Sequence, residues 1–213
     1  MSEKELVKLA GEIDQALKDG LIPKATKVAD RLLKKNRSAG LAYKGVIALR
    51  QEAYDLAENY LLESFQLNAK QNLALANLIP TYIKKRDFKK AVAFGEQAYS
   101  VMPGNQSVSI NYAAALLQEQ SYGKALEVLK PLFSESEPHV SVLSGMISCY
   151  RGLFLKNEAE KYLEIAERHF GDKHEIMRLK ADTLAESNPE SAYIAFKKAL
   201  EKEPDNVATR WNM

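Results

Sequence analysis

The sequence predicts an all-α fold, an alpha-alpha superhelix of about six helix-turn-helix repeats. Three observations carry that prediction. Ala25, Ala57, Ala91, Ala125, Ala159 and Ala192 recur at an almost constant interval of about 34 residues, and a period this regular marks a stack of one supersecondary unit. With the alanines in register, an aromatic recurs three positions before (Tyr54, Phe88, Tyr122) and a small side chain seven positions after (Ser64, Ala98, Ala166, Ala199). Proline closes the unit at Pro103, Pro138 and Pro204. Small side chains suit the points where two helix axes cross closely, and an aromatic fills the gap beside them.

Each repeat divides into two helices. The first pair, 3–19 and 23–36, opens with the charged amphipathic stretch MSEKELVKLAGEIDQ, and Pro23 begins its second helix, where a missing N–H costs nothing. The second pair, 38–51 and 54–68, follows from the register. In the third, 72–85 and 88–101, Leu75, Leu78, Ile79 and Tyr82 keep helical spacing, Arg86-Asp87 makes the turn, and Phe88, Ala91, Val92 and Ala98 form a second stripe that Pro103 stops. The fourth pair is 106–119 and 122–135, with Pro131 inside its second helix. The fifth is 140–152 and 156–169, and Met146, Ile147 and Tyr150 mark its apolar side. The sixth is 173–186 and 189–202, with Pro189 at the start of the second helix and Pro204 after it. The units run 6–37, 38–71, 72–105, 106–139, 140–172 and 173–206, in one array, and 207–213 starts a seventh. No segment reads as a strand, and no low-complexity linker divides the chain.

The pattern resembles the tetratricopeptide repeat, a helix-turn-helix unit of about 34 residues. The resemblance covers essentially the whole chain and is clearest in ALANLIPTYIKKRDFKKAVAFGEQAYSVMPGN and LKADTLAESNPESAYIAFKKALEKEPDN. The chain departs from the pattern along the first helices. The expected small residue is Gly45 and Ala113 in two repeats but Ile13, Ile79, Ile147 and Lys180 elsewhere, and the aromatic of that helix is kept only as Tyr82 and Tyr150. The resemblance implies a right-handed solenoid. The closing phrase PDNVATRWNM enters a new first helix at Trp211, Asn212 and Met213. It resembles repeats that precede a transferase domain in some bacterial glycosyltransferases and sulfotransferases. An array ending there leaves an apolar face uncovered, so the expectation is a fragment of a longer parent, able to self-associate through its C-terminal end.

Composition narrows the function. Thirty basic and 28 acidic residues give a net charge of +2, so no general field attracts nucleic acid. The single cysteine, Cys149, excludes an internal disulfide and fits a reducing compartment. No apolar h-region opens the chain, and no apolar run reaches membrane-spanning length. The expectation is a cytoplasmic protein with no membrane contact.

Chemistry is sparse. Of His139, His169 and His174, only the last two are neighbours, and with Asp172 and Glu175 they read as a solvated loop rather than a metal site. No HExxH, paired CxxC or EF-hand loop occurs, no glycine pattern cradles phosphate, and no serine stands in GxSxG. Cys149, with no histidine near it in sequence, reads as a buried thiol rather than a nucleophile. No catalytic residue, metal or cofactor is expected.

The resemblance places the first helices on a concave surface where partner peptides lie. Its floor column reads Ala10, Ala42, Ala76, Ile110, Ser144 and Met177, and the next column holds Asn77, Asn111 and Arg178. An amide both donates and accepts, which suits an extended peptide backbone. Arg50, Lys84 and Arg151 lie further along the same helices and favour acidic flanks. Pro80 falls within the first helix of the third unit. An interior proline costs about 3 kcal/mol in an ordinary helix, and here it either kinks the helix or frees the Ala76 carbonyl for a ligand. The expected function is a protein-protein interaction scaffold that binds a peptide or partner domain in this groove. The rivals are the substrate-recruiting N-terminal part of a larger transferase, and an RNA-binding helical repeat. Near-neutral charge argues against the RNA reading.

Overall fold

The computed structural model describes residues 3–171, 173–185 and 188–204. Among them the chain forms twelve α-helices, one short 3-10 turn and no strand. The helices are α1 Glu3–Lys18, α2 Ile22–Lys35, α3 Arg37–Arg50, α4 Tyr54–Leu67, α5 Asn72–Lys84, α6 Phe88–Val101, α7 Gln106–Gln118, α8 Tyr122–Leu129, α9 Val140–Gly152, α10 Lys156–Phe170, α11 His174–Leu184 and α12 Pro189–Lys202. Trp211, Asn212 and the other residues of the expected seventh unit lie outside the described residues.

The periodic alanines have a shared structural job. All six are buried, and in each the backbone N–H donates to the carbonyl of the residue four earlier, at 2.9 to 3.0 Å. That bond closes the first turn of every second helix. At most 3% of their surface is exposed, so a larger side chain at these positions would overpack the interior. The small column behaves alike: Ser64, Ala98, Ala166 and Ala199 have no exposed surface.

The turns between first and second helices share one backbone motif. Gly20, Glu52, Arg86, Gln120 and Phe154 all have positive φ, between 55° and 69°, and recur at the same interval as the alanines. The residue after each donates its N–H to a carbonyl five back: Leu21 to Ala16, Ala53 to Ala48, Asp87 to Tyr82, Ser121 to Leu116 and Leu155 to Tyr150, at 2.8 or 2.9 Å. This is the left-handed C-terminal cap, which satisfies carbonyls the helix leaves unpaired. It reverses the chain in one tight turn.

The chain divides into two compact units, Met1–Ala115 and Leu116–Met213, and the division falls inside α7. The first unit holds two clusters. Leu9, Ile13, Val28, Leu32 and Ile47 join α1, α2 and α3. Leu61, Leu75, Leu78, Ile79 and Tyr82 build the other around α5, with Val108 and Ala115 of α7 added to it. Each fully buried aliphatic contributes about 1.5–3 kcal/mol, more than an exposed ion pair gives. Ser38 of α3 and Ser64 of α4 are buried and reciprocal. Ser38 Oγ donates to the Ser64 carbonyl at 3.0 Å, and Ser64 Oγ to the Ser38 carbonyl at 2.8 Å. In the second unit, Leu143, Ile147, Leu163, Ile176 and Leu179 form one cluster, and Ala181, Ala192, Ala195 and Phe196 another.

The expected helix 122–135 is the one large departure. α8 stops at Leu129, and Lys130–Leu132 continues as a 3-10 turn. Pro131 lacks the N–H that the Glu127 carbonyl would accept, and its ring crowds that turn. Pro131 ends its helix, where the sequence reading runs the helix past it to 135. Pro80 stays inside α5.

Candidate functional site

Helical spacing decides which face of α5 is available. Leu75, Leu78, Ile79 and Tyr82 turn inward and are fully or almost fully buried. Ala76, Asn77, Pro80 and Lys84 therefore share the opposite side, with the first three half-buried and Lys84 exposed. In α7, Val108, Tyr112 and Ala115 turn inward, which leaves Ile110 and Asn111 half-buried at the surface. The two amides come from equivalent columns of consecutive repeats.

Their polar atoms are differently committed. Asn77 Nδ2 donates to the Leu73 carbonyl at 2.8 Å, and Thr81 Oγ1 donates to the Asn77 carbonyl at 2.7 Å. The Asn77 side-chain oxygen has no partner among the described residues, nor has the Asn111 amide. Pro80 has no N–H, so the Ala76 carbonyl lacks its usual helical donor four positions on. This face thus offers two acceptors beside one uncommitted amide.

Charge on this unit is selective. Arg50 and Lys84 are exposed and make no ion pair among the described residues. Lys85, next in sequence to Lys84, is fully engaged, with its ammonium bonded to Asp55 at 2.6 Å and to Glu58. Tyr82 also donates to Glu58, at 2.9 Å, and Lys90 stands 5.1 Å over the Tyr82 ring. Burial alone would raise the Glu58 carboxyl, but the Lys85 and Tyr82 hydrogen bonds outweigh it and hold it below the usual glutamate range. Burial of the ring, together with the same carboxylate, pushes the Tyr82 phenol well up.

Three predicted site residues are placed differently. Ala42 has no exposed surface and packs in the α5 cluster, so it offers no floor. Ser144 is buried, and its Oγ is turned back to the Val140 carbonyl at 2.9 Å. Both are helix-packing residues, because α3 and α9 are covered along that side. Arg151 belongs to the second unit and so lies outside this face; it is partly engaged there, donating to the Asp182 carbonyl at 2.8 Å and standing 3.8 Å from the Asp182 carboxylate.

Cys149 is fully buried, and burial pushes its thiol up to about 12, so at neutral pH it is protonated and unreactive. His174 faces Glu203 at 3.4 Å, and His169 lies against Phe170; Asp172 lies outside the described residues. Among the described residues no group of three or more metal-ligating side chains converges, and no helix is long and apolar enough to cross a membrane.

The course of the helices is shared with solved structures. TTC0263, a thermophilic TPR protein of Thermus thermophilus, matches 81% of this chain and 95% of its own, with a TM-score of 0.66 at 20% identity. The chain has the tetratricopeptide-repeat fold. YrrB, described as a TPR protein with an unusual peptide-binding site, matches 87% of this chain and 97% of its own, with a TM-score of 0.64 at 15% identity. No protein-family model matches the chain. In sequence it is similar to cellulose synthase operon protein C of Pseudomonas fluorescens (strain SBW25), 27% identical over 221 residues. That match covers 92% of this chain but only 17% of the relative's length.

Proposed function

We propose that the chain is a protein-interaction scaffold of the cytoplasm with no chemistry of its own, and that it binds an extended peptide on the α5 and α7 face of the first unit. The observation that carries this reading is the pairing of Asn77 and Asn111, one repeat apart and half-exposed in the same column. Asn77 accepts a backbone N–H from the peptide and Asn111 both donates and accepts, while the Ala76 carbonyl takes a further donor. Ala76 and Ile110 give apolar contact. Arg50 and Lys84 draw acidic flanks toward the face. Self-association belongs to the same proposal, through α12, where Tyr193 and Ile194 are about half exposed.

The test is selection of a displayed random dodecapeptide library on the immobilised chain, followed by calorimetry on the selected sequences. Each amide contributes about 0.5–1.5 kcal/mol, so the Asn77→Ala, Asn111→Ala double variant weakens binding roughly tenfold with circular dichroism unchanged. Charge reversal at Arg50 and Lys84 slows association and lowers its salt dependence. Full affinity in the double variant moves the site elsewhere.

The second reading, a recruiting array within a larger transferase, is supported by the PDNVATRWNM phrase. It is tested by the reading frame beyond Met213: a nucleotide-sugar or sulfonate-donor fold there favours it, and its absence removes it.

A further inference from the structure

The left-handed turn position holds Gly20, Glu52, Arg86 and Gln120 in four repeats and Phe154 in the fifth, at φ 58°. Glycine takes this conformation freely and polar side chains keep their water there. A bulky aromatic is strained in it. Phe154 is also 91% exposed, and Leu153 and Leu155 beside it are exposed in part. The ring gains nothing by burial to offset the strain, so folding alone gives no reason for phenylalanine at this position. In the same repeat, Lys156 stands where Tyr54, Phe88 and Tyr122 stand in others. The aromatic has left the packing column and reappears on the turn.

A cleft of about 690 Å³ opens beside this ring, within the second unit. Leu117 and Tyr122 form its apolar wall. Gly152 also lines it and packs closely on Tyr122, for a Cβ there would lie 2.5 Å from that ring. Gln118 and Ser148 line the polar side with Arg151, the lining's one ionised group. Arg151 shares Asp182 with Arg178, at 3.8 and 2.7 Å from the two guanidiniums. Arg151 therefore sets the charge of the lining.

We propose that this cleft is a docking site, carried wholly by the second unit, for a partner segment that presents an apolar side chain followed by a carboxylate. The apolar group lies against Phe154 and Tyr122. The carboxylate meets Arg151, which lines the cleft and whose side chain is 34% exposed. The charge selects the occupant: a cationic segment is repelled, and a neutral one leaves the guanidinium partly unpaired.

The probes are N-acetyl-phenylalanine and its C-terminal amide, which differ only in the carboxylate, titrated into the full ¹⁵N-labelled chain. The acid is expected to shift resonances of 117–122 and 148–155 saturably in the millimolar range, and the amide to bind about fivefold more weakly. Phe154→Gly keeps the turn, so it should raise the melting temperature by about 2–4 °C as the strain is relieved while weakening the acid about tenfold. Arg151→Gln should erase the difference between acid and amide. The Asn77→Ala, Asn111→Ala variant should bind both probes as the parent does, whatever the fate of the first-unit site. The proposal is overturned by equal binding of acid and amide, by shifts that map elsewhere, by no saturable shift at about 20 mM, or by a Phe154→Gly variant that melts lower or binds unchanged.

Discussion

Glu58 is one of three carboxylates, with Glu5 and Asp87, through which pH reaches the first unit. It ties α4 to α5 through Tyr82 and Lys85, and those bonds hold its folded carboxyl below the ordinary value of 4.5. The folded state therefore binds this proton less readily than the unfolded chain does. The stabilisation is complete above the unfolded value and is lost as pH falls through the lowered folded value. Glu58→Gln keeps the shape and removes the titration. In urea unfolding at about pH 6 and about pH 3, the parent should lose more stability than the variant; equal losses would show that Glu58 carries no linkage. None of this was legible beforehand. Lys84 and Lys85 look alike in sequence, and only their positions on the helix separate an exposed cation from one paired twice.

At the scale of elements, the sequence reading located all twelve helices, because the alanine register and the 3.6-residue spacing both survive in every repeat. It placed their ends within about two residues, except at Pro131, whose cost depends on whether a tertiary contact holds the helix past it. The turns were located but not their conformation: Glu52, Arg86, Gln120 and Phe154 carry no signal for positive φ, and only Gly20 does. The candidate face was half legible. Asn77, Asn111 and Pro80 emerged from their columns, but an alanine in a first helix reads the same whether it is half-exposed like Ala76 or sealed like Ala42. Pro80 gives the test at this scale. Pro80→Ala restores the bond to the Ala76 carbonyl and should raise stability by about 1–3 kcal/mol in chemical denaturation. It should also weaken any peptide selected on the α5 face. A variant no more stable than the parent would mean that the carbonyl already has a donor.

In the molecule as a whole, stability in a repeat array is close to a sum over units and their nearest neighbours. Hydrogen exchange followed by mass spectrometry should then be graded. The slowest amides are expected in α5 and α9, whose inward residues Leu78, Ile79, Leu143 and Ile147 are wholly buried, and the fastest in the turns that join the helices. Uniform exchange along the chain would mean that it opens all at once. The serine pair gives this gradation a mechanical side. The hairpin of α3 and α4 is fastened at its turn by Glu52 and at its open end by Ser38 and Ser64, whereas the third, fifth and sixth hairpins carry Ala98, Ala166 and Ala199 in the Ser64 column. A chain drawn out by its two ends, between the jaws of a force probe or in the mouth of an unfolding machine, would surrender those hairpins before the one that is buttoned top and bottom.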